Sequence, residues 1–116
     1  MEKNKRTLEA SLLVLGLAKK AGKLVCGAPL VCKALSGKTP PALVIVSIYA
    51  SDNTKKRMRD KCNYYGVRLY EYDAQTDRIS AAIGGDAFVA ACAICDKGLA
   101  GLFLSRAGDD IKRNEE

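Results

Sequence analysis

Cys92 and Cys95, in the segment "CAIC", have the CxxC spacing of zinc and dithiol sites. The run that holds them, "AFVAACAIC", is apolar and reads as a buried strand. On a strand, residues three apart point to opposite faces, so the two thiols would not converge on one metal ion. Both are therefore read as buried structural cysteines, as are Cys26, Cys32 and Cys62. A thiol or metal function of "CAIC" stands only as an alternative. Other catalytic chemistry has little to work with. The sequence has no histidine to serve as a base, no GxSxG turn and no GxxxxGK phosphate loop. Asp109 and Asp110 are neighbours close to the last residue, a poor place for a working carboxylate pair. The expectation is a non-enzyme with no catalytic residue, no cofactor and no metal.

Three other segments have the chemistry to meet a polyanion. In "GAPLVCKAL", a helix pattern starts directly after Gly27. Pro29 suits its first turn, but Ala28 has no side-chain oxygen with which to cap. The first N–H groups of that helix lack a local acceptor and sit at its positive dipole end, with Lys33 one turn further on. Water or a phosphate would satisfy them. In "IGGDAF", Gly84 and Gly85 join a short helix to a strand and permit positive φ and close backbone approach. In "KKRMRDK", Lys55, Lys56 and Arg59 lie away from the apolar stripe of their helix, as solvated cations or as phosphate contacts.

The charge balance favours such a partner. Formal net charge is +6, with a pI near 9.1. Residues 1–68 carry 14 Lys/Arg against 4 Asp/Glu, whereas residues 69–116 carry 5 against 9. A basic portion of this kind is the footprint of a nucleic-acid partner. The chain has 116 residues, enough for one domain with a real core, and 48% of them are hydrophobic. No apolar run is long enough to span a membrane, and no helix pairs a basic face with large exposed apolar residues, so no membrane partner is expected. The polar first residues and the odd count of five cysteines read as a cytoplasmic protein with reduced thiols.

The elements that must position these segments alternate. "TLEASLLVLGLAKKAGK" reads as a helix capped by Thr7, with Leu8, Leu12 and Leu15 inward and Leu13 and Leu17 widening the stripe. "KLVC" is a short strand, "PLVCKALSG" a two-turn helix ending near Gly37, and "ALVIVSIYA" a strand buried on both faces. "SDNTKKRMRDKCNYYG" opens on capping residues and closes on glycine, with Met58, Cys62 and Tyr65 as its core stripe. Then come the strand "VRLYEY", the helix "TDRISAAIG", the strand around "CAIC" and a helix capped by Asp96. The fold class is α/β, a three-layer αβα sandwich with a mixed central sheet. One domain is expected over residues 1–108, and a frayed charged tail over 109–116.

With these segments in hand the chain resembles the kink-turn RNA-binding ribosomal-protein superfamily, and within it the small bacterial YlxQ-type branch. The resemblance runs from about Leu12 to Phe103. It is carried by "LVLGLAKKAGKLVCG", "GAPLVCKAL", "SDNTKKRMRDKCNYYGV" and "ISAAIGGDAFVAACAICDKGLA", of which "DKCNYYGV" is the most specific. It implies an αβα sandwich that binds sharply bent RNA with tandem G·A pairs. By position, Gly27, Ala28, Pro29, Leu30 and Lys33 would form the helix part of the interface. Ile83, Gly84, Gly85, Asp86 and Ala87 would form the loop that covers flipped-out nucleotides. Archaeal and eukaryotic members carry Asn and Glu where this chain has Pro29 and Leu30. Neither of these side chains can read a base edge, so the resemblance implies recognition by backbone, by Lys33 and by shape. Asp86 would place a negative charge beside the RNA. The implied partners are structured RNA, whether ribosomal RNA or another kink-turn RNA, and the ribosome, for a monomeric protein. A ribosome-associated adaptor working through protein–protein contacts is the principal alternative.

Overall fold

The computed structural model describes residues 5–84 and 89–108, with side chains from Thr7 onward. The order is α1 (Lys5–Lys20), β1 (Leu24–Cys26), α2 (Ala28–Leu35), β2 (Leu43–Ser47), α3 (Asp52–Tyr65), β3 (Leu69–Tyr72), α4 (Thr76–Ala82), β4 (Ala91–Ile94) and α5 (Lys97–Ala107). The strands form one mixed sheet in the order β1-β4-β2-β3. β2 and β3 are parallel, and β4 runs antiparallel to both of its neighbours.

The β-branched run of β2 is buried throughout, and strand alternation divides its side chains between two cores. Leu43 and Ile45 join Cys92 and Ile94 of β4 on one face, against Leu12 and Leu15 of α1, Ile79 of α4 and Phe103 of α5. Val44 and Val46 join Ala91 and Ala93 on the other, against Val31 and Leu35 of α2 and Met58 and Cys62 of α3. That is the αβα sandwich with a mixed sheet. On the first face Tyr70 and Tyr72 meet the Phe103 ring edge-on, at centroid distances of 5.6 and 5.0 Å. The Tyr72 hydroxyl is satisfied by Ser11.

Caps fall where the sequence placed them at two helices. The Ser51 hydroxyl accepts from the Thr54 amide at 3.1 Å, and Asp96 accepts from the Leu99 amide at 2.8 Å. Elsewhere the structure corrects the reading. α1 begins at Lys5, so Thr7 lies inside it rather than capping it; Lys5 and Arg6 are good helix formers and carry the helix past that residue. Leu13 and Leu17 do not widen the buried stripe, being 71% and 53% exposed. At about 100° per residue they fall on the far side of α1 from Leu15 and Ala18, in an open groove with Glu9, Gly16, Lys20 and Ala82. β2 stops at Ser47 instead of running on to Ala50. The Ser47 hydroxyl accepts from the Tyr49 amide and donates to the Ala74 carbonyl, which turns the chain there.

Candidate nucleic-acid interface

Antiparallel pairing of β4 collects several connections at one end of the sheet. Cys26 pairs with Cys92, Val46 with Ala91, and Ser47 with Tyr72. The last residues of β1, β2 and β3 therefore lie at the same end of the sheet as the first residues of β4. The start of α2 and the loop that enters β4 meet at this end. The Gly27 amide donates to the carbonyl of Ala91, the first residue of β4, at 2.8 Å. Gly27 makes the turn into α2 at φ 95° and ψ 138°, a region other residues rarely enter.

No side chain caps α2, and proline stands in its first turn. The Gly27 carbonyl accepts the first intrahelical bond, from Val31 at 2.9 Å. Val31 and Leu35 anchor the helix in the core. Ala28 is half-buried, whereas Pro29, Leu30 and Lys33 are exposed, and their spacing puts them on one face of α2. The predicted helix residues thus come together on an outward surface. Leu30 and Lys33 also line an open groove with Leu24, Val25, Cys26, Ala34 and Lys19. From the sequence Lys19 reads only as part of a basic helix end, not as a member of this surface. It lies in the last turn of α1 and reaches this groove across the edge strand β1, a relation set by topology.

The loop part is only partly described. Ile83 directly follows α4 as its C-cap, and its side chain is buried in the core beside Val89 and Ile79, so only its main chain borders the loop. Gly84 follows at φ 74°, the conformation its type permits. Gly85, Asp86 and Ala87 lie outside the described residues, as does the tail from 109 to 116. Ser80 holds the two ends of the loop together. Its hydroxyl donates to the Thr76 carbonyl and accepts from the Val89 amide, each at 3.0 Å. Sequence reasoning missed Ser80, although a serine beside the buried Ile79 in a short helix signals a polar group in need of an inward partner.

In the basic run on α3, Lys55, Lys56 and Arg59 lie away from the Met58/Cys62 stripe as read, with Lys56 and Arg59 exposed, and they also meet partners. Lys55 donates to the Ile48 carbonyl at 3.1 Å and lies 3.6 Å from Asp52. Lys56 pairs with Asp60 at 2.7 Å. Arg59 pairs with Glu71 on β3 at 2.8 Å. The Arg59 hydrogen bond holds the Glu71 carboxyl below its usual range, and Glu71 in turn raises the guanidinium. These three cations have partners within the fold.

The cysteines fall in two pairs and a single: Cys26 lies opposite Cys92 on β1 and β4, Cys32 shares the other core with Cys62, and Cys95 stands apart. Cys92 is buried, and burial pushes its thiol up; Cys62 is pushed up to about 11 for the same reason. Cys26 and Cys32 are half-buried. Cys95 is exposed, a correction to the reading of "CAIC" as two buried thiols. β4 ends at Ile94, one residue short of it. Among the described residues no group of three or more His, Cys, Asp or Glu could hold a metal ion. Nor is any helix among them long and apolar enough to cross a membrane.

A profile of the Ribosomal protein L7Ae/L30e/S12e/Gadd45 family matches residues 9–103. The chain belongs to this family. Within it, the chain is 37% identical over 92 residues to the RNA-binding protein YlxQ of Bacillus subtilis (strain 168), covering 79% of this chain and 89% of that one. It is 33% identical over 81 residues to the RNA-binding protein YlxQ of Enterococcus faecium, covering 70% and 77%. The family's αβα fold recurs in a solved Bacillus halodurans protein described as of unknown function. That match has a TM-score of 0.75 and 28% identity, over 84% of this chain and 96% of that one. A Giardia lamblia 15.5kD RNA-binding protein has the same fold, with a TM-score of 0.71 and 16% identity over 91% and 88%. The matched span includes α2, the β4 loop and the Gly27–Ala91 bond.

Proposed function

We propose that this L7Ae-family protein binds structured RNA of the kink-turn kind, without catalysis, and acts in the cytoplasm in association with the ribosome. The interface is the start of α2, with Gly27, Ala28, Pro29, Leu30 and Lys33, together with the loop from Ile83 to Ala87. The observation that supports this reading is the 2.8 Å bond from Gly27 to Ala91, which sets the uncapped helix start beside the first residue of β4, where the loop returns to the sheet. Free N–H groups and a lysine suit phosphate oxygens, and a glycine loop suits contact by shape. The names of the YlxQ relatives support the RNA partner.

The test is a titration of a kink-turn RNA and of a straight duplex of equal length, at several salt concentrations. The bent RNA should bind more tightly. Log affinity should fall with log salt at a slope of roughly −0.7 to −0.9 per phosphate contacted. Lys33→Ala should make that slope shallower by about one contact and leave the unfolding midpoint nearly unchanged. Equal binding of both RNAs with no salt dependence would reject the reading.

A further inference from the structure

α3 carries five cations, Lys55, Lys56, Arg57, Arg59 and Lys61. Three have partners: Lys55 on the Ile48 carbonyl, Lys56 on Asp60 and Arg59 on Glu71. Arg57 and Lys61 make no hydrogen bond or ion pair with the described residues. They are not scattered. Arg57, Lys61 and Tyr64 recur at i, i+4 and i+7 and fall within about 60° of arc on the helix surface. Together with Asp60 and Tyr65 they line a shallow surface pocket.

Tyr64 is the unusual member. It is 81% exposed, so its ring gains almost nothing from the fold. Tyr65 packs against it edge-on, at a centroid distance of 4.8 Å and 88° between planes, which holds the ring in place. An exposed aromatic ring at the end of a row of two cations that pair with no described residue is a platform for a base, with its neighbouring phosphates laid back along the helix.

The placement fits the same RNA. Arg59 reaches toward Glu71 on β3, an outer strand of the sheet. Arg57, Lys61 and Tyr64 lie on the opposite flank of α3. α2 covers the same face of the sheet, and Val31 and Leu35 share a core with Met58 and Cys62. A strand leaving the start of α2 would run along this face toward the C-terminal half of α3 to reach them.

We infer that Arg57, Lys61 and Tyr64 form a second RNA-contact site on α3, which takes an unpaired nucleotide flanking the bent RNA: Tyr64 stacks on the base, and Arg57 and Lys61 hold phosphates. This rests on the RNA reading above, and the test separates the two. The probes are one kink-turn RNA with blunt ends, the same RNA with a single-stranded uridine extension at either end, and the uridine oligonucleotide alone. An extension should tighten binding by about ten-fold. Tyr64→Ala should abolish that gain and leave the blunt RNA unaffected, and Tyr64→Phe should retain it. Arg57→Gln with Lys61→Gln should lower the salt slope of the extended RNA by about 1.4, two contacts' worth. These exposed changes should leave the melting temperature in place. Binding of the kink-turn with no gain from either extension overturns this site and leaves the first reading standing. Tyr64-dependent binding of the oligonucleotide without kink-turn selectivity supports this site and counts against the first. If neither RNA binds, both fail.

Discussion

Gly16 and Ala82 hold α1 and α4 at backbone contact: a β-carbon on Gly16 would stand 3.0 Å from the Ala82 carbonyl oxygen. Ala82 ends α4, and the chain passes from it directly into the loop before β4. The approach of two helices thus fixes where that loop begins, and the Ser80 hydroxyl fixes where it returns.

Gly16→Ala should therefore disturb a site it does not touch. Overpacking costs about 1–3 kcal/mol, and the better helix propensity of alanine offsets up to about 1 kcal/mol of it. Thermal melting should show a drop of roughly 3–6 °C. The kink-turn RNA should bind more weakly even at temperatures where the variant is folded. A raised melting temperature with full binding would mean that α4 does not depend on this contact.

Leu30 is 55% exposed, so the paired substitution Pro29→Asn with Leu30→Glu places no charge in the core. Both residues lie on the outward face of α2. The variant should melt close to wild type and gain discrimination for intact over disrupted G·A pairs, since a bidentate base contact is worth about 1–3 kcal/mol. Affinity ratios for the two RNAs, measured on both proteins, decide this. A wild type that already discriminates by several kcal/mol would show that other groups read the base edges.

Thiol reactivity should follow burial. Cys95 should react first with a disulfide reagent in the native protein. Cys62 and Cys92, whose thiols burial pushes up, should react only on unfolding. Mass spectrometry of partly labelled protein reads the order directly, and early labelling of Cys92 would contradict the packing of β4.

Acid should expose the Arg59–Glu71 pair. Arg59 lowers the Glu71 carboxyl in the folded protein from a starting value of 4.5. A lowered folded-state value contributes stability above the unfolded value, and that contribution is lost as pH falls through the folded one. Wild type should lose melting temperature below about pH 4.5, and Glu71→Gln should lose less over the same range. Both groups are largely exposed, so the difference should be small and shrink with added salt. Parallel acid curves for the two proteins would show that the pair adds nothing in solution.

Much of the fold was legible because its signals are local. The buried run of β2, the Ser51 and Asp96 caps and the Met58/Cys62 stripe each follow from a few neighbouring residues. Leu13 and Leu17 misled because leucine marks an apolar face without saying whether the fold covers it. The pairing of Lys55 and Arg59 was not legible because their partners, Ile48 and Glu71, lie outside the run and meet it only in the folded chain. The α2 half of the candidate site was visible in Gly27, Pro29 and Lys33. Lys19 and Ser80 were not, since the first needs strand order and the second a partner nine residues away.

The central claim is that RNA lies against the start of α2 and the adjoining loop. Amide NMR spectra of the labelled protein, recorded as kink-turn RNA is added, test it most directly. The account predicts that the largest shifts fall on Gly27, Ala28, Leu30 and Gly84, with Lys33 following. Exposed amides of α5, such as Ser105 and Arg106, should stay in place. Shifts concentrated on α5 and the Leu13 side of α1, with the α2 amides unmoved, would contradict it.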